Sequence, residues 1–117
     1  MTLVERRAAT WVDVCAVDQL TVDRGACALV GGYQVALFRV SPDDEVYAVS
    51  NYDPFSRAYV ISRGIVGSRG DRPKVASPIY KQTFDLETGD CFEDPAVALR
   101  TFPVRVVAGR VEVGCPQ

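Results

Sequence analysis

The chain has 117 residues, 48% of them hydrophobic and 24% charged, with a formal net charge of −2 and no histidine. That balance is the one of a single folded domain rather than a disordered segment, and it leaves no overall basic field to attract nucleic acid or anionic lipid. The missing imidazole removes the group on which Ser/His or Cys/His nucleophile activation, general base work near neutral pH and most zinc sites rely.

The opening residues, MTLVERRAATWVDV, lack the basic start, apolar middle and small-residue cleavage site of a secretory signal. No apolar run approaches the ~20 residues of a membrane-spanning helix. A cytoplasmic protein with no membrane and no nucleic-acid partner is therefore expected.

Residues 10–17, TWVDVCAV, alternate apolar and polar residues and read as a strand; VDQLTVDRG is a polar connector. Residues 26–40, ACALVGGYQVALFRV, read as two strands about Gly31-Gly32, a pair that tolerates the positive φ of a tight hairpin. SPDDE is a turn, so 34–40 and 45–50 are expected to form a second hairpin. Residues 51–73 contain Pro54, Gly64, Gly67, Gly70 and Pro73 and read as irregular, with GSRGDR an exposed tip. KVASP (74–78) is a short strand, and QTFDLETGDCFED reads as strand, turn at 87–90, strand. Residues 99–114 close the chain as a hairpin about Ala108-Gly109, with Pro103 marking an edge or a bulge. DPAVALR is long enough only for a helical turn.

Many short strands with frequent turns predict an all-β, antiparallel sandwich or small barrel, with 1–117 as one domain and its core at about 10–114. Cys15, Cys27, Cys91 and Cys115 form no CxxC pair and are expected to be free thiols. No GxGxxG follows a strand and no P-loop is present, so no nucleotide or flavin site is legible.

Two stretches carry more information. YAVSNYDPFSRA leads from a strand into Asp53-Pro54-Phe55, and SPIYKQTFDLETG keeps Pro78, Phe84, Asp85, Thr88 and Gly89 in a fixed frame. Together they resemble the two cluster-binding loops of Rieske-type iron–sulfur domains, in which a Cys-x-His and a Cys-x-x-His pair hold a [2Fe–2S] centre. Aligned on that frame, Asp53 and Ser77 stand at the cysteine positions, and Phe55 and Tyr80 at the histidine positions. Phe55 has no lone pair, and the other three offer only hard oxygen donors that suit an iron–sulfur cluster poorly. A single carboxylate, Asp53, makes no convincing hard-cation site either. An intact electron carrier is thus set aside. Phe55 and Tyr80 are expected to fill the space of a cluster, with Ser77 and Tyr80 bonded to loop backbone.

NYDPFSRAYVISRGIVG and KVASPIYKQTF are similar to the small subunits of bacterial NAD(P)H-dependent nitrite reductases, over roughly residues 10–114. Thr83 departs from the histidine common at that position. The resemblance implies a Rieske-like fold with two hairpin loops meeting at one tip. It also implies a cluster-less subunit of a heteromeric, cytoplasmic oxidoreductase of nitrate assimilation, which reduces nitrite to ammonia. The chain itself would hold no metal, no cofactor and no catalytic residue; FAD, a [4Fe–4S] cluster and sirohaem would belong to the large subunit, its partner. Docking on or stabilising that subunit would then be its role, with Asn51, Tyr52, Asp53, Arg57, Arg63, Lys81 and Gln82 as candidate contacts and the GIVGSRGDR loop as a second candidate surface. The alternative is a free-standing Rieske-like binding module without redox activity.

Overall fold

Tyr33–Val40 (β3) has four consecutive apolar residues, Val35 to Phe38, all buried, where a half-exposed strand would alternate. Such a run belongs to a strand covered on both faces. The computed structural model, which describes residues 10–40 and 45–115, shows what covers it. Val35 and Leu37 point into one core with Val30, Ala48, Phe102, Val111 and Val113. Ala36, Phe38 and Val40 point into another with Val49, Ile61, Val75, Phe84 and Leu86. Successive side chains on a strand face opposite sides, so β3 divides the molecule into two cores.

β3 lies in a sheet of order β10-β4-β3-β2, with Thr101–Phe102 as β10, Glu45–Ser50 as β4 and Gly25–Val30 as β2. A second sheet, β1-β12-β11, covers one face; it consists of Thr10–Ala16 (β1), Arg110–Cys115 (β12) and Val104–Val107 (β11). The third, β7-β8-β9, contributes Val75 and Phe84 to the other core and consists of Ile65–Arg69, Arg72–Ala76 and Thr83–Asp85. A short ribbon pairs Tyr52–Asp53 (β5) with Ala58–Tyr59 (β6). All pairings between these strands are antiparallel, and the two helical turns, Val17–Gln19 and Ile61–Arg63, are single 3-10 turns.

The all-β expectation holds. The hairpin at Gly31-Gly32 forms with both residues at positive φ, +53° and +85°, the conformation of a two-residue turn matched to strand twist. β3 pairs with β4 from Val35↔Ser50 to Val40↔Glu45; the SPDD residues of its turn lie outside the described residues. The closing hairpin pairs Val107 with Arg110, as expected. Pro103 sits where the chain leaves one sheet for another: β10 pairs with β4, and β11 with β12.

Two expectations are corrected. Residues 51–73 are not irregular throughout: turns alternate with short paired strands, and GSRGDR, exposed over 67–71 as expected, is the end of a paired hairpin, Ile65↔Ala76 to Arg69↔Arg72. Its glycines and Pro73 mark loops locally, but β9 holds β8 in a sheet from Lys74↔Asp85 onward, and Pro73 lies just before that pairing, where no ladder donor is needed. The strand expected after the 87–90 turn is absent among the described residues, replaced by single bridges Phe84↔Cys91 and Asp90↔Ala98. Asp94 accepts from the backbone of Ala96 and Val97 there and turns the chain instead. No helix forms over 94–100.

Candidate functional site

The first loop links β5 to β6 and the second links β8 to β9. Asp53 joins them: its carboxylate accepts from Ser77 Oγ at 2.5 Å across the two loops. It also accepts from Phe55 N at 2.9 Å and Ser56 Oγ at 2.8 Å within its own loop. Asp53 is 0% exposed and Ser77 1% exposed. Burial pushes the Asp53 carboxyl up, but the Ser77 hydroxyl, the Phe55 N–H and Ser56 outweigh it and hold it below the usual carboxylate value. Asp53 is therefore an ionised bolt between the loops, placed by β5 and by the turn that Pro54 favours.

Asn51 does similar work at the loop base. Its side-chain NH2 reaches Tyr59 O at 3.2 Å and Gln34 Oε1 at 3.3 Å, and its oxygen accepts from Ser62 N at 2.7 Å. Asn51 and Asp53 were expected as partner contacts; at 3% and 0% exposure their side chains are hydrogen-bonded inside and offer a partner nothing. Tyr52 is half-buried with its ring 5.1 Å from that of Tyr59.

The four ligand-equivalent positions diverge. Asp53 and Ser77 meet each other. Phe55 is half-buried on the β7–β9 core, its ring 6.1 Å from Phe84. Tyr80 corrects the expectation that it fills the cluster space: it is 62% exposed, because the loop turns outward through Pro78 and Ile79, which are exposed as well. Gln82 is half-buried, and its Oε1 is enclosed without a hydrogen-bond partner among the described residues. Arg57, Arg63 and Lys81 are exposed. Sequence reading missed Ile79 and Tyr59, both exposed; Ile65, also exposed, falls within the GIVGSRGDR candidate surface. An apolar residue in a strand reads as core unless the covering layer is known.

The motif residues after the second loop shape its exit. Asp85 accepts from Glu87 N at 2.8 Å and Thr88 N at 3.2 Å, and Arg72 donates to it at 2.7 Å. Burial raises the Asp85 pKa; the Arg72 bond and the two N–H groups outweigh it and lower it on balance. Gly89, at φ +82°, lies under the carbonyl of Leu99, where a Cβ would come within 2.1 Å of that oxygen. Thr83 is bound through N and Oγ1 to Glu93 at 2.7 and 2.5 Å.

This geometry, two hairpin loops clasped at one tip of a three-sheet β-structure, is that of a Rieske-type domain. Residues 10–114 match the family described as Rieske-like [2Fe-2S] domain. The chain is 41% identical to the nitrite reductase (NADH) small subunit of Escherichia coli strain K12, over 88% of this chain and 95% of that protein. It is also 41% identical to a segment of the nitrite reductase [NAD(P)H] large subunit of Klebsiella oxytoca, covering 92% of this chain and 11% of that one. A crystal structure assigned as the NADH-dependent nitrite reductase small subunit of Mycobacterium tuberculosis superposes with a TM-score of 0.89 at 49% identity, over 92% of this chain and 96% of that one. The chain belongs to the Rieske-like domain family and, within it, to the nitrite reductase small subunits.

The family description implies a [2Fe–2S] cluster, and the donors here do not fit one. Of the four positions, Phe55 has no donor atom, Ser77 and Asp53 are committed to each other, and Tyr80 faces outward. No group of three His, Cys, Asp or Glu side chains suited to a metal occurs among the described residues. Cys91 is buried, and Cys15, Cys27 and Cys115 lie on β1, β2 and β12 rather than on the loops.

Proposed function

We propose that this chain is the cluster-less small subunit of a cytoplasmic NAD(P)H-dependent nitrite reductase and that it acts by docking on the catalytic large subunit. Nitrite is reduced to ammonia by FAD, [4Fe–4S] and sirohaem centres of that subunit; the small chain supplies binding surface and no redox group. The observation that carries the reading is the Klebsiella oxytoca relative, in which a segment like this chain forms part of a protein named as the large subunit. Fusing two modules keeps the second at high effective concentration beside the first, an arrangement suited to modules that work in contact.

The tip is the docking surface. Asp53, Ser77 and Asn51 hold the loops rigid from inside, and Pro78, Ile79 and Tyr80 present an apolar group beside Arg57 and Lys81. Exposed aromatic, apolar and arginine side chains on preorganised loops are what interfaces use as anchors.

The test is nitrite-dependent NAD(P)H oxidation by the cognate large subunit with and without this chain, together with size-exclusion chromatography of the mixture. Co-elution with a gain in rate or in enzyme lifetime is expected. The absence of both effects refutes the reading and leaves a free-standing binding module.

A further inference from the structure

Charge is segregated along this chain. Residues 54–84 contain Arg57, Arg63, Arg69, Arg72, Lys74 and Lys81 against one acid, Asp71, a net of +5; the other 86 residues hold seven cations and fourteen anions, a net of −7. Those 31 residues form the two loops, β6, β7, β8 and the start of β9. Arg72 is spent on Asp85 at 2.7 Å and Glu87 at 3.4 Å, and Arg69 lies 4.9 Å over the Phe92 ring. Arg57, Arg63 and Lys81 are exposed and end on no carboxylate among the described residues.

Two of these cations occupy unusual backbone. Arg57 has φ +60° and Lys81 φ +65°, the left-handed region that favours glycine or asparagine. Each sits at the closing end of its loop: Arg57 N donates to Asp53 O at 2.8 Å just before β6, and Lys81 precedes Gln82, whose carbonyl accepts from Ser77 N at 2.9 Å. The Asp53–Ser77 bond joins the feet of these same two loops. Folding alone would be served better by glycine at both positions. A long cation at each one is a feature to be explained by what the tip meets.

We propose that Arg57 and Lys81 form a pair of cationic arms that steer the tip onto an acidic patch of the large subunit, with Ile79 and Tyr80 as the apolar contact beside them. The inference rests on the docking reading above and adds the chemistry of the partner's surface. A long polyanion such as nucleic acid suits the chain less well, because it would also meet the net −7 remainder. A compact acidic patch would meet only the tip.

The experiment uses the full chain and its cognate large subunit, with affinity measured by titration from about 20 to 500 mM NaCl, a range over which screening of exposed charges becomes nearly complete. Arg57→Gly, Lys81→Gly and the double variant are compared with the parent, and each is also melted. Expected are glycine variants that melt at the parent temperature or higher, a double variant that binds about tenfold or more weakly at low salt, and a shallower salt dependence for it. Parent-like affinity of the double variant at low salt, or parent binding indifferent to salt, overturns the inference and leaves the partner assignment standing. Variants that lose melting temperature together with affinity also overturn it, since the cations would then be holding the loops. A parent chain that binds the large subunit at no salt concentration overturns both readings.

Discussion

Replacing Asp53 by asparagine tests the claim that an ionised carboxylate clasps the two loops. Asp53 accepts three hydrogen bonds, from Ser77 Oγ, Ser56 Oγ and Phe55 N, in a fully buried position. Asparagine keeps the shape and one acceptor, but turns charge-assisted bonds of about 1.5–3 kcal/mol into neutral ones of about 1 kcal/mol. A loss of ~2 kcal/mol is expected, or roughly 8 °C in melting temperature for a domain of this size. Asp53→Ala strands the buried Ser77 hydroxyl as well and should cost ~4 kcal/mol. The pH dependence has a defined sign. Folding lowers the Asp53 pKa, so its contribution is complete above the unfolded value near ~4 and fades as pH falls through the lower folded value. Urea unfolding of parent and Asp53→Asn at pH 7 and at about pH 2 measures both quantities, and the gap should shrink at the acid end. An asparagine variant as stable as the parent at pH 7, or a gap undiminished in acid, refutes the ionised clasp.

Phe55→Ala should cost ~2 kcal/mol in the same unfolding assay, less than the ~3–5 of a fully buried ring, because Phe55 is only half-buried on Phe84. Tyr80→Ala should change stability by less than ~0.5 kcal/mol, since the ring is 62% exposed, yet weaken co-elution with the large subunit. Gly89→Ala should lower stability by at least ~2 kcal/mol in thermal melts, for both its φ of +82° and the Leu99 carbonyl oppose a side chain. Iron and acid-labile sulfide assays on protein purified without oxygen should find neither in stoichiometric amount; a colourless preparation is the expected result, and a full complement of both would refute the donor-set reasoning.

What could be read from the residues alone was whatever local chemistry decides. Gly31-Gly32 and Ala108-Gly109 marked hairpins because tight turns need positive φ, and the Asp-Pro-Phe and Phe-Asp…Thr-Gly strings placed both loops in a Rieske-like frame. The unsuitability of Phe55 as a ligand needed only its lack of a lone pair. Other features depended on which layer covers which. Gly67 and Pro73 read as loop, but pairing of β8 with β7 and β9 makes a sheet of them, and only Gly70 of the three stays in a turn. Asn51 and Asp53 are polar and read as surface; only the fold shows them buried, because partners as distant in sequence as Ser77 and Ser62 converge on them. Tyr80 reads as filling and proves to face outward, with Ile79 exposed beside it, since the direction of a loop is set by where its ends are anchored. Residue type determines what a side chain can do, while the long-range packing of three sheets decides whether it meets a neighbour, a core or a partner.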